Sequence, residues 1–301
     1  MQVINISRRN LDKMNRLPLS NKVFNTEGEL FIYDHKNNWR NSRELLKIYF
    51  LYEDEQYLAD KMNVVNQLLA NKEAIDMEEL VLPEALVTVS GQIRGFSMPY
   101  IENAVNLQVM LDNPKVRLKR KLEILKEILL ILKKVESLKD LSGKFYLGDI
   151  HEGNFIWDID SQKIKAVDLD SSFINNSAVS VSKYLTFNQY FENMPEKYPI
   201  EPKSNRIYPN RESSLACFWY MFLNALSGEQ VYNWSMNKYY NYISYLVKQK
   251  IDPNIIEDLN NMYTAAKFSD IDPKLIQSVN CSKDYSIQKA RIPDSTGSYY
   301  K

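Results

Sequence analysis

The chain has 301 residues, 45% of them hydrophobic and 25% charged, which is enough apolar material to bury a substantial core and to build a two-part body. Its 38 basic and 38 acidic residues cancel, which argues against a nucleic-acid binder relying on bulk electrostatics. Two distant cysteines, Cys217 and Cys281, make a disulfide framework or a zinc site improbable. No apolar run of 18 residues offers a membrane span, and the basic start (Arg8, Arg9, Lys13, Arg16) lacks the apolar core of a leader, so a soluble cytoplasmic protein is expected.

Glu44 to Tyr49 is an apolar strand-like run, and Lys47 is its only lysine. Leu86 to Val89 and Arg94 to Ile101 read as paired strands, the second alternating through Phe96, Met98 and Tyr100, with Ser90 and Gly91 as a tight turn. Residues 114 to 138 place Leu118, Leu122, Leu125, Leu129, Leu132 and Val135 at spacings of three and four, the mark of one long amphipathic helix. The cluster Lys115, Arg117, Lys119, Arg120 and Lys121 is assigned to its wet face. Further on, Phe155, Ile156 and Trp157, the turn residues Asp160, Ser161 and Gln162, and then Ile164, Ala166 and Val167 predict a hairpin. Tyr239, Tyr240, Tyr242 and Tyr245 are read as packing residues of the segment 235 to 249. Residues 266 to 301 carry little periodicity and are read as a partly flexible extension that frays from Asp294.

The hairpin carries the chemistry. It joins the loop Gly148, Asp149, Ile150, His151, Glu152, Gly153, Asn154 to the acids of Ala166, Val167, Asp168, Leu169, Asp170, so Asn154 at its start and Asp168 at its end should meet at one edge. An Asn amide and an Asp carboxylate are a plausible oxygen set for Mg²⁺, which keeps few protein ligands beside phosphate oxygens and water. Asp149, in the preceding loop, is placed to accept or orient the proton of an acceptor hydroxyl. His151 reads as a solvated loop residue or a hydrogen-bonding brace rather than as the base.

This pattern resembles the protein-kinase-like superfamily, in a divergent bacterial-looking form, over roughly residues 22 to 265. The resemblance implies a two-lobed α+β fold: residues 1–101 as an antiparallel sheet with one helix, residues 102–265 as a mostly helical lobe, and the extension 266–301. Glu27 to Tyr33 resembles the end of a glycine-rich phosphate loop entering its strand, with Gly28 alone where the full pattern has three glycines. By the same resemblance Lys47 holds the α and β phosphates of ATP. Met98 guards the pocket behind the adenine, and the backbone around Pro99, Tyr100 and Ile101 meets the adenine at the hinge. Asp170, standing where the family usually has Gly, adds a possible second carboxylate to the metal site of Asn154 and Asp168.

The family pairs its strand lysine with a glutamate of the following helix, here about residues 53 to 70. Glu55 shares the face of Leu58, Met62, Val65 and Leu69 and is preferred over Asp60, which points away. Glu212 to Gly228 resembles the family's long buried helix, with Leu215, Phe218, Trp219, Phe222 and Leu226 on one face and Glu212 where an Asp is expected. Leu147 and Gly148 replace the family's His and Arg, so control by loop phosphorylation within 171 to 211 is not expected. Three functions are compatible with these residues: an ATP- and Mg-dependent protein kinase-like enzyme with a Ser/Thr hydroxyl acceptor, a small-molecule kinase similar to the aminoglycoside and choline phosphotransferases, whose loop also has His two residues after the Asp, or a nucleotide-binding pseudokinase scaffold.

Overall fold

In the computed structural model of the chain, the described residues are 2–17, 27–34, 43–50, 55–141, 144–179, 210–229, 231 and 234–272. Short alternating runs build an amino-terminal sheet from β1 (Val3–Ile6), β2 (Asn15–Arg16), β3 (Gly28–Asp34), β4 (Arg43–Tyr49), β5 (Ala85–Val89) and β6 (Gln92–Pro99). Their order is β1-β5-β6-β4-β3-β2. Every pairing is antiparallel except that of β1 with β5, which runs parallel with Val3 opposite Leu86. Ser90 and Gly91, both at positive φ (52° and 85°), close the β5–β6 turn as the sequence predicts.

The two sheet faces are covered differently. On one, Ile4, Ile6, Phe31, Leu46, Ile48 and Val87 pack with Leu11 of the short helix α1 (Arg8–Leu11), whose first turn is capped by the Ser7 hydroxyl. On the other, Met62 and Val65 of helix α2 (Glu55–Ala70) pack on Tyr49, Leu86, Phe96 and Met98. A short helix α3 (Lys72–Ile75) follows. The chain leaves the sheet through β7 (Ala104–Asn106), which pairs with β9 (Phe155–Asp158), itself paired with β10 (Lys163–Ala166). Helix α4 (Leu107–Leu111) follows β7 directly, and β8 (Phe145–Tyr146) pairs with β11 (Phe173–Ile174).

The carboxy-terminal part is helical. Helix α5 (Leu118–Glu136) buries all the predicted apolar positions except Leu118, which is partly covered, and adds Ile124, Ile128 and Ile131. Lys121 departs from its wet-face assignment: it is buried, its ammonium 3.5 Å from the Ala225 carbonyl, and burial lowers its pKa. Helix α6 (Arg211–Ser227) starts at an Asn210–Ser213 capping box and stops at Gly228 in the left-handed conformation. Far from showing one apolar face, it is buried on nearly every side, because α5, α7 (Met236–Lys248) and α8 (Pro253–Thr264) surround it. Tyr239 and Tyr242 fill this core as predicted, while Tyr240 is exposed. Phe268 and Ile271 join the same core, so the extension is packed as far as Ile271; residues 273–301 lie outside the described ones. The molecule is thus α+β, with an antiparallel-rich amino-terminal sheet and a helical carboxy-terminal part. No helix among the described residues is long and apolar enough to cross a membrane.

Two glycines of the sheet, Gly28 and Gly95, leave no room for a Cβ, and the contact at Gly95 is the tighter. A Cβ on Gly95 would lie 1.8 Å from the Lys47 carbonyl oxygen and 2.9 Å from its carbon, both rigid backbone. Gly95→Ala is therefore expected to cost about 1–3 kcal/mol by forcing β6 away from β4. Urea unfolding measures this, and an unchanged midpoint would show that the strands are not in such close contact.

Candidate functional site

Alternation along β4 turns Leu45, Lys47 and Tyr49 to the face covered by α2. Lys47 is 3% exposed, and its ammonium meets Asp170 Oδ2 at 2.8 Å, Asp168, and Glu27 Oε2 at 3.6 Å. A second lysine arrives from α2, where Tyr57, Lys61, Val64 and Leu68 form the buried stripe. The Lys61 ammonium meets Glu27 Oε2 at 3.0 Å and Asp170 Oδ1 at 3.1 Å, and donates to the Ser171 hydroxyl at 2.6 Å. Burial alone would lower both lysine pKa values, but the carboxylates outweigh it and hold them above the ordinary range. Both lysines are charged, and three carboxylates against two ammoniums leave one negative charge in excess.

The strand β10 leads to Asp168, whose backbone is left-handed (φ 61°, ψ 46°), a conformation that Asp tolerates better than most residues. The following turn, Leu169–Ser171, brings Asp168 and Asp170 to Lys47 together. Their environments differ. Asp168 keeps 35% of its side chain exposed, and burial together with the neighbouring Asp170 charge pushes its pKa up to about 6 against the pull of Lys47 and Lys61. Asp170 is sealed: Oδ2 accepts from Lys47 and the Tyr49 hydroxyl, Oδ1 from Lys61 and, at 3.5 Å, from Ser171.

The hairpin does what the spacing requires of it. Phe155 lies opposite Ala166, and the Val167 N–H donates to the Asn154 carbonyl at 2.9 Å, so Asn154 and Asp168 flank one edge. The Asn154 amide nitrogen donates to the Asp149 carbonyl at 2.9 Å and to Asp149 Oδ2 at 3.2 Å, fixing that loop and leaving Oδ1 as the atom a cation could use. His151 is a brace: Gly153 N–H donates to its Nδ1 at 3.0 Å, and its Nε2 faces Asp149 Oδ2 at 3.6 Å. Burial opposes a charged ring, yet Asp149 draws the His151 pKa up to about 9, while the Gly153 bond favours a neutral Nδ1. Reciprocally, burial raises the Asp149 pKa, but His151 and Lys61 together outweigh it and lower it below the ordinary value, so Asp149 is a carboxylate at neutral pH. Beneath the loop, the Ser214 hydroxyl of α6 donates to the Leu147 carbonyl at 2.8 Å, while Glu212, which stands where the resemblance expects an Asp, is exposed.

Several predicted residues are placed differently. Glu55 stands exposed on the first turn of α2, and Lys47 takes its acids from Glu27, Asp168 and Asp170 instead. Asp60 accepts from Gln56 on the outer side of α2, as expected. Asp170 does not fit as a metal ligand, because its four acceptor positions are taken by two ammoniums and two hydroxyls. Gly28 is a strand residue, where a Cβ would come within 2.4 Å of the Ile48 carbonyl oxygen; residues 18–26 before it lie outside the described ones. Met98 is buried, with the partly covered Leu30, Leu45, Ile101 and Val167 around its cluster. Pro99 ends β6 opposite Glu44, and the Tyr100 N–H already donates to the Arg43 carbonyl at 3.2 Å.

Three site residues escaped the sequence reading. Tyr49 lies two positions after Lys47 and so shares its face. Lys61 occupies a buried-stripe position of an amphipathic helix, the signal by which a partnered lysine could have been suspected. Glu27 has no local signal; only the fold carries it to the lysines. As a metal site, Asn154 and Asp168 fit: two oxygen donors at one partly open edge beside surplus negative charge. No three His, Cys, Asp or Glu side chains converge as a metal cage among the described residues. No protein-family model matches the chain, and no curated protein matches it.

Proposed function

We propose that the chain is an ATP- and Mg²⁺-dependent phosphotransferase with a protein-kinase-like fold that acts on a protein Ser/Thr hydroxyl. The observation that carries the reading is the meeting of Lys47 with Asp168, residues 121 apart in sequence, at the edge where the hairpin also holds Asn154 and Asp149. A buried, charged lysine near partly covered apolar side chains suits a nucleotide: Leu30, Leu45, Ile101 and Val167 would receive the adenine, and Lys47 its phosphates. Asn154 and Asp168 would hold Mg²⁺, which when bound neutralises phosphate charge. Asp149, ionised and held by Asn154, would orient the acceptor hydroxyl and take up its proton.

Labelled γ-phosphate with Mg²⁺, offered to a protein mixture and to a panel of small hydroxyl metabolites, tests the reading. Label in protein supports it. Label in small molecules alone would favour the aminoglycoside- and choline-phosphotransferase-like alternative, for which His151 two residues after Asp149 speaks. No transfer with retained nucleotide binding would leave a pseudokinase scaffold. Asp168→Ala should abolish the rise in melting temperature that Mg-ATP gives the parent, a rise of roughly RT ln(1 + [L]/Kd) in stability. A variant that gains as much as the parent would remove Asp168 from the metal site.

A further inference from the structure

Where the resemblance calls for a carboxylate on α2, the helix delivers a cation, and the acids sit on the sheet side and on the turn after β10. Two lysines and two carboxylates alternate around a closed ring. Asp170 bridges them through its separate oxygens, Oδ2 on Lys47 at 2.8 Å and Oδ1 on Lys61 at 3.1 Å. Glu27 bridges them through one, Oε2, at 3.6 Å from Lys47 and 3.0 Å from Lys61. Asp168 stands outside the ring, against Lys47 alone, and is the most exposed of the three acids. Glu27 is anchored further by the Tyr57 hydroxyl, which donates to Oε1 at 2.8 Å.

Resting on the nucleotide reading above, we infer that Lys61 is a positioning residue whose ammonium occupies Glu27 and Asp170, so that Lys47 stays available to a nucleotide polyphosphate instead of being captured by those carboxylates. Lys61 is a ring member, 1% exposed, and lacks the contact to the partly exposed Asp168 that Lys47 makes, so it acts through Lys47 and not on the phosphates. Removing its charge leaves Lys47 as the one ammonium among three carboxylates. An incoming polyphosphate then meets two surplus negative charges where the parent presents one, in a site whose burial weakens screening. A packing role for Lys61, whose ammonium also lies 5.5 Å from the Tyr57 ring centroid, predicts something else: damage that no change of charge elsewhere repairs.

The experiment compares binding of Mg-ATP and of adenosine by the parent, Lys61→Met, Glu27→Gln and the double variant Lys61→Met/Glu27→Gln. Lys61→Met should weaken Mg-ATP by about tenfold or more while adenosine changes less than about twofold, since only the phosphates feel the excess charge. The double variant, which restores the balance, should return to within about threefold of the parent for Mg-ATP. If Lys61→Met does not fold but the double variant does, charge balance is again the cause and the inference stands. A double variant that is unfolded, or that binds Mg-ATP no better than Lys61→Met, overturns it, as does a loss of adenosine affinity equal to that for Mg-ATP. A parent that binds neither compound refutes the nucleotide reading itself, whereas a parent that binds Mg-ATP alongside an equally competent Lys61→Met refutes the role of Lys61 alone.

Discussion

Asp149→Asn is expected to bind Mg-ATP nearly as the parent does and to transfer phosphate about 10² to 10⁴ times more slowly, the range that a positioned base contributes. The substitution keeps the shape of the side chain. It removes the negative charge facing His151 and replaces one carboxylate oxygen with an amide nitrogen, which cannot take up the acceptor's proton. Asp149 is 43% exposed, so the fold does not depend on it, and turnover is the quantity that should respond. Single-turnover transfer at saturating nucleotide measures the effect. Equal rates in the two proteins would take Asp149 out of the mechanism.

The second large effect separates the two acids of the Asp168–Asp170 pair. Asp170→Asn should destabilise the protein by about 3–5 kcal/mol, because it leaves two buried ammoniums and the Tyr49 hydroxyl facing a neutral amide that cannot satisfy them. Asp168→Asn, at a partly exposed position whose lysine keeps Asp170, should change stability by less than about 1 kcal/mol. Urea unfolding without nucleotide ranks the two. If Asp168→Asn proves the costlier change, Asp170 is not the anion on which the cluster is built.

How far the sequence led depends on how local each signal was. The β9–β10 hairpin was legible because strands and turn lie within a dozen residues and Asp160, Ser161 and Gln162 mark the reversal, with Gln162 at φ 56°. From that one element the approach of Asn154 to Asp168 followed by geometry. Helix α5 was legible from its apolar period, although Lys121 was not, since a lysine beside an apolar stripe looks solvated until α6 covers it. The Lys47 partners were misread for the same reason. The search for an acid stayed on α2, the next helix, whereas Glu27 and Asp170 reach Lys47 from the residue just before β3 and from the turn after β10. Strand β1 went unread because four residues that alternate in burial carry little pattern, and its partner is far along the chain.

That last pairing has a consequence for how the protein is made. Leu86 is the residue opposite Val3, so during synthesis β1 waits for roughly 80 residues to follow it before β5 exists. At about 5–20 residues per second this is a delay of roughly 4 to 16 s, in which Ile4 and Ile6 have no sheet to enter. A hairpin such as β5–β6 joins neighbouring strands, but β1 must find its strand across an intervening stretch that includes β2, β3, β4, α2 and α3, and a parallel pairing of such long sequence separation is slow to form. Of the described strands, β1 is thus the first in the chain, yet it can complete its pairing only after β5 has emerged.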